Sequence, residues 1–153
     1  MTVGRVCNRP VITAEENCSV ADAAKLMRQY HVGSLVIVSK NKDGVVPVGI
    51  ITDRDLVTEI LAEDVHVNTI TLEDIMTRSP LIAREDDDVF QTMDMMRIKG
   101  VRRIPVVDTH GLLVGIFTFD DMLKIFFNEM GKWASFIYRE KMQEKQRRPS
   151  HNS

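Results

Sequence analysis

A mixed α/β (α+β) fold built from a duplicated unit is predicted by two observations. The stretch Gly49-Ile50-Ile51-Thr52-Asp53-Arg54-Asp55 returns 66 positions later as Gly115-Ile116-Phe117-Thr118-Phe119-Asp120-Asp121. Positions ahead of it repeat too: Val20 matches Val89 and Met27 matches Met96, both at an offset of 69. Within each copy, helix-type spacing of apolar residues alternates with short apolar runs of strand type. A repeat of this length is a duplicated supersecondary unit whose halves depend on each other.

Taken in order, residues 1–9 lack strong periodicity, and Val11-Ile12-Thr13 after Pro10 reads as a short extended piece. Ser19, followed by Asp22, offers an N-cap, with Glu15, Glu16 and Asp22 suited to the positive helix end. Val20, Ala23, Ala24 and Met27 then predict an amphipathic helix over 20–30, broken at Gly33. Leu35 to Val38 is a buried-type strand, Asn41 to Gly44 a hairpin turn, and Val46 to Ile51 the return strand. Leu56, Val57, Ile60 and Leu61 continue at helical spacing.

The second copy follows the same sequence of elements. Pro80-Leu81-Ile82 is extended, Glu85 to Asp88 is an acidic helix entrance, and Val89, Met93 and Met96 mark a helix broken at Gly100. Ile104 to Val107 is a strand, Asp108 to Gly111 a turn, and Leu112 to Phe117 the return. Between the copies, residues 64–78 read as a linker with a strand-like Val65–Val67 and a short helix capped by Thr71 and Asp74. Beyond Asp121, Phe126, Met130, Trp133 and Ile137 form one apolar stripe with Phe136 beside it, then a charged run to Arg148 and a frayed 149–153. Such a stripe is expected to pack on its own domain or a sister chain rather than on a membrane surface or a foreign partner.

Composition narrows the function. A net charge of −2 over 153 residues, with the basic tail near Arg147 and Arg148 lacking interleaved aromatics, argues against nucleic acid. Cys7 and Cys18 have no metal-type spacing and fit a reducing, cytoplasmic setting as inert thiols. No apolar run approaches the roughly 20 residues of a membrane span, and no cleavable leader is expected. His31, His66, His110 and His151 are scattered, so neither a catalytic set nor a metal site is expected.

Ser19–Met27, Val32–Val38 and Gly49–Asp55, then Arg102-Arg103-Ile104-Pro105-Val106-Val107-Asp108 and Gly115–Asp121, resemble the CBS motif, named for cystathionine β-synthase. The resemblance covers roughly residues 6–127. It implies two tandem β-α-β-β-α motifs related by a pseudo-two-fold axis, sheets packed together and helices outside, with a C-terminal helical extension. The expected domains are 1–70 and 71–127, the two motifs of one Bateman module, and 128–153, the extension and tail.

The family implies a non-enzymatic regulatory pair that binds an adenosine-containing ligand: AMP, ADP or ATP, with NAD or S-adenosylmethionine as further candidates. A homodimer of pairs and a client protein are the implied partners. Asp55 and Asp121 match the family's ribose-binding aspartate, and Thr52 and Thr118 the threonine that supports sugar or phosphate. A carboxylate can accept from both ribose hydroxyls. The ligand-free alternative is that each threonine caps a helix with the aspartate in its first turn. By resemblance, one site joins Thr52, Arg54 and Asp55 with Ile82, Ala83, Arg102, Arg103, Ile104 and Pro105. The other joins Thr118 and Asp121 with Ile12, Thr13, Ala14, Gly33, Ser34, Leu35 and Val36. Arginine pairs bidentately with phosphate while Gly33 and Ser34 cannot, and Asp120 stands where the first copy has Arg54. The site of Asp55 and Arg103 is therefore the expected phosphate binder, unless Arg102 and Arg103 instead bridge to Asp86–Asp88. A ligand-free interaction scaffold is the rival reading.

Overall fold

The computed structural model describes residues 1–148; the expected fraying of 149–153 lies outside them. Two compact units divide the chain, Met1–Thr118 and a second beginning at Phe119.

The first unit carries two sheets. In one, β1 (Thr13–Glu15) runs parallel to β2 (Ser34–Lys40), which pairs antiparallel with β3 (Val45–Thr52), and β4 (Thr77–Arg78) closes the far edge of β3. In the other, β5 (Ala83–Arg84) is parallel to β6 (Arg103–Val107), itself antiparallel to β7 (Leu113–Thr118). Both hairpins carry a register shift, at Ile37/Val38 and at Val106/Val107, so the duplication extends to the irregularities. β1 and β5 begin later than the apolar runs 11–13 and 80–82 suggest. Their extent is set by where β2 and β6 offer backbone partners, and Thr13 meets Val36 while Ala83 meets Val106.

Helix α2 (Val20–Tyr30) is capped by Ser19, whose Oγ accepts from the Asp22 N–H at 3.1 Å. It ends at His31 in the left-handed region (φ 53°), two residues before the expected break at Gly33. The second-repeat helix α5 (Val89–Lys99) starts at Asp88, which accepts from Phe90 and Gln91, and does stop at its glycine, Gly100 (φ 66°). Glycine reaches that left-handed conformation without a Cβ clash. In the turns, Asn41 accepts from Asp43 and Gly44, and Asp108 from His110 and Leu112. Those backbone donors, Leu112 foremost, hold the Asp108 carboxyl below its usual pKa.

The entry segment and the short helix expected at Thr71–Asp74, which forms with that capping box, are exchanged between repeats. Helix α1 (Val3–Val6) lies on the second repeat: Val3 N–H donates to Asp87 O at 2.9 Å, Gly4 N–H to Glu85 O at 2.8 Å, and Asn8 bridges Ile116. Helix α4 (Leu72–Ile75) lies on the first: Leu72 N–H donates to Cys18 O at 2.9 Å, Glu73 N–H to Glu16 O at 3.0 Å, and Ser19 bridges Thr71. Residues 71–78 are therefore part of the first repeat's packing rather than a linker. Leu72 and Met76 sit in one core with Val20, Ala23, Met27, Leu35, Ile37, Ile51 and Ile60. Val65–Val67 is not a strand, because β4 already occupies the open edge of β3 and Val65 N–H instead donates back to Ile60 O.

The exchange explains both repeat-ending glycines. A Cβ on Gly49 would meet Met76 Sδ at 2.5 Å, and one on Gly115 would meet Cys7 Sγ at 2.5 Å and Asn8 O at 3.2 Å. Cys7 and Met76 stand 69 positions apart and play the same part.

From Phe119 the second unit is one long helix, α6 (Phe119–Arg147), of 29 residues. Trp133 and Phe136 meet edge-on, their ring centres 6.2 Å apart. No helix among the described residues is long and apolar enough to cross a membrane.

Substitutions on both docked segments test the exchange. Gly115→Ala is expected to cost about 1–3 kcal/mol through overpacking, read as a lower urea midpoint, with Cys7→Ala in the same chain recovering part of it. Leu72→Ala is expected to cost about 2–5 kcal/mol, the penalty of a core truncation and far more than a surface linker residue would give.

Candidate functional site

Each repeat brings its second long strand to a threonine and sets it opposite the first residue of the neighbouring strand. Ser34 faces Thr52 in the first repeat and Arg103 faces Thr118 in the second. The equivalent places thus differ by a full positive charge.

A cavity of about 230 Å³ opens beside the second pair. Ile12, Val32, Gly33 and Ser34 line it from the first repeat, and Arg103, Ile116 and Thr118 from the second. Asn8, Pro10 and Val11 complete the wall, Asn8 being held by reciprocal backbone hydrogen bonds with Ile116 at 2.9 and 3.1 Å. Gly33 keeps the space open: a Cβ there would stand 3.5 Å from Arg103 Nη2 and 3.1 Å from Asp53 Oδ2. Asp53 is fixed in turn by its N–H, which donates to Gly33 O at 3.0 Å. One guanidinium, two hydroxyls and a side-chain amide line a hollow with apolar walls, a combination suited to a small ligand with an anionic end.

Arg103, expected with Thr52 and Asp55, lines this cavity with Thr118, Ile12, Gly33 and Ser34. It takes part in no salt bridge among the described residues, and Glu85 meets Arg9 at 3.4 Å. Arg102 is exposed. Leu35, Val36, Ala83 and Ile104 are fully buried with Pro105, and Ala14 nearly so, which makes them supports of the strands rather than walls of the cavity. Thr13 pairs with Val36 from the edge strand β1, and Ile82 is exposed ahead of β5. Asp121 is buried on the first turn of α6, its Oδ1 3.5 Å from Lys124 Nζ.

Thr52 and Asp55 close a reciprocal capping box on helix α3, which opens with Asp53–Asp55 and continues as a π-helix, Leu56–Leu61. Asp55 Oδ2 accepts from the Thr52 N–H at 2.8 Å, and Thr52 Oγ1 accepts from the Asp55 N–H at 3.2 Å. The box uses the Oδ2 oxygen of the Asp55 carboxylate. Arg54 is exposed, its N–H donating to Asp53 Oδ1 at 2.8 Å.

Sequence reasoning missed Asn8, Pro10, Val11, Val32 and Ile116. A signal for Asn8 was present: Val3, Val6 and Cys7 recur as Leu72, Ile75 and Met76 at the same offset of 69, which marks residues 1–9 as part of the repeat. The two cysteines are free, and burial, followed by the charge of Asp22, raises the Cys18 thiol pKa and lowers its reactivity.

Comparison with known proteins places these features. The family model for the CBS domain matches residues 3–62 and 72–128. An uncharacterized protein of Methanopyrus kandleri is 36% identical over 125 residues, covering 82% of this chain and 62% of that protein. L-aspartate semialdehyde sulfurtransferase of Methanocaldococcus jannaschii is 36% identical over 121 residues, 79% of this chain but 22% of the enzyme. The chain thus spans less than two thirds of either relative. Among solved structures, the CBS domain pair of protein MJ0100, in complex with 5′-methylthioadenosine and S-adenosyl-L-methionine, superposes with a TM-score of 0.72 at 34% identity. The match covers 84% of this chain and 98% of that one.

The capping box has its own signature. Thr52→Ala and Asp55→Ala are each expected to lower ligand-free stability by about 0.5–2 kcal/mol. Because both remove the same box, the double variant should lose less than the two effects combined, as thermal unfolding would show.

Proposed function

This chain belongs to the CBS domain family, and from that premise we propose that it is a regulatory binding module for an adenosine-containing ligand rather than an enzyme. The cavity between the repeats carries the reading, because Arg103 of one repeat and Gly33-Ser34 of the other border the same space. The apolar walls suit an adenine, the hydroxyls of Ser34 and Thr118 a sugar, and Arg103 a phosphate. The ligands of the MJ0100 pair, both adenosine compounds, support that class. A fixed cation in this chain's cavity favours a phosphate-bearing member, AMP, ADP or ATP, over an uncharged nucleoside; NAD and S-adenosylmethionine belong in the same screen. The second cleft, around Thr52, Arg54 and Asp55, would accept a sugar at Asp55 Oδ1 at the cost of loading a group that already caps a helix.

A ligand touching both repeats stabilises the arrangement it binds better, by no more than its differential affinity for it. Occupancy is then passed to a client protein or to a homodimer of pairs, for which Tyr30 on α2 and Phe90 and Ile98 on α5 offer exposed apolar contacts. We place this function in the cytoplasm, where two unpaired cysteines are at home. The rival, a ligand-free scaffold, draws on the capping box, which satisfies Thr52 and Asp55 without a ligand.

Thermal shift separates the two. At a hundredfold excess over Kd, AMP or ATP is expected to add about 2.7 kcal/mol and raise the midpoint by several degrees; no response to any of the five compounds would establish the scaffold. Arg103→Ala is expected to weaken AMP by roughly 10- to 100-fold, the value of a charge-assisted hydrogen bond, while leaving adenosine unchanged. Equal loss for both, or for neither, would remove Arg103 from the phosphate.

A further inference from the structure

The apolar stripe of α6 is longer and barer than a single repeat's closing helix requires. Phe119, Leu123, Phe126, Met130, Trp133 and Ile137 follow one another at alternating intervals of four and three. That is the spacing of a two-helix seam, in which each side chain enters a gap on a facing helix. All six are between 39% and 66% exposed. At about 1.5 Å per residue the seam is about 28 Å long. With the neighbouring Phe127 it leaves roughly 700 Å² of apolar surface open, close to what one partner contributes to a stable protein interface.

We propose that this face pairs with the same face of a second copy of the chain, the two α6 helices running antiparallel. Charge selects both the occupant and the direction. Residues 139–148 carry five basic groups, Arg139, Lys141, Lys145, Arg147 and Arg148, against two acids, Glu140 and Glu144. A parallel pair would lay two such tails side by side. An antiparallel pair parts them and brings each toward the acidic first turn of its partner, where Asp120 is exposed. At 100° per residue, Asp120 and Glu129 fall on the two shoulders of the stripe, where they would repel an anionic lipid surface. In this arrangement, turning about residue 128, Phe119 faces Ile137, Leu123 faces Trp133 and Phe126 faces Met130, so the six side chains of the stripe meet one another. The inference stands apart from the ligand reading, since it uses no residue of the cavity.

Trp133 is the chain's one tryptophan, so its emission reports on this face. In the full chain, emission is expected to shift to shorter wavelength as protein concentration rises. Met130→Glu should abolish that shift while keeping the helical circular dichroism, and Ser135→Lys, on the opposite face, should preserve it. Should Met130→Glu lose its helical signal, Phe127→Lys carries the same expectation. An equimolar mixture of Leu123→Cys and Trp133→Cys chains, oxidised and mapped by peptide mass spectrometry, is expected to give the mixed disulfide several-fold over either self-linked product. Emission indifferent to concentration, or a shift that survives both substitutions, overturns the pairing. A shift produced only by phosphatidylserine vesicles assigns the face to lipid, and a majority of Leu123-to-Leu123 links rules out the antiparallel arrangement.

Discussion

The reciprocal docking of residues 1–8 on the second repeat and 71–78 on the first is the constraint on which the rest of the first unit depends. β3 would otherwise end the first sheet with unpaired backbone groups, and Ile116 in β7 would lack its bridge to Asn8. Covering each sheet with a segment from the other half also places Asn8, Pro10 and Val11 in the wall of the cavity. Stability and the shape of the cavity therefore share the same backbone hydrogen bonds. The two glycines at 49 and 115 belong to this constraint, because the covering segments pass too close for any side chain there.

Most of the fold was legible because duplication doubles every signal. Val20 and Met27 gain weight from Val89 and Met96, and a turn such as Asn41–Gly44 is clearer when Asp108–Gly111 occupies its place in the second copy. What escaped the sequence was non-local. Leu72 and Met76 look like ordinary linker apolars until the three-dimensional neighbours Cys18 and Gly49 are known. Arg103 reads from the sequence as a partner of Thr52 and Asp55, whereas the hollow it borders with Gly33, Ser34 and Thr118 depends on how two sheets meet, which periodicity does not encode. His31 in a left-handed conformation likewise shows tertiary packing overriding the glycine two residues away.

Divergence after duplication reaches the wall of the cavity. Along the strands the copies agree down to the position of the register shift, yet Ser34 and Arg103 occupy equivalent places opposite Thr52 and Thr118. A fixed guanidinium changes which anions a hollow can hold without altering the strand that carries it. The capping box at Thr52 and Asp55 shows the other half of this economy, in which polar groups able to meet a ligand already satisfy the start of a helix.

Exchange of the leading segments has a consequence for ancestry. A lone half-chain would possess both an uncovered sheet and a short segment of the kind that, in this chain, docks on the other half. Two identical halves would complete each other as a swapped dimer. Tandem fusion makes that encounter intramolecular, at an effective concentration on the order of millimolar, and releases the halves from the need to stay alike. An arginine could then stand at 103 in one copy where the other has a serine at 34.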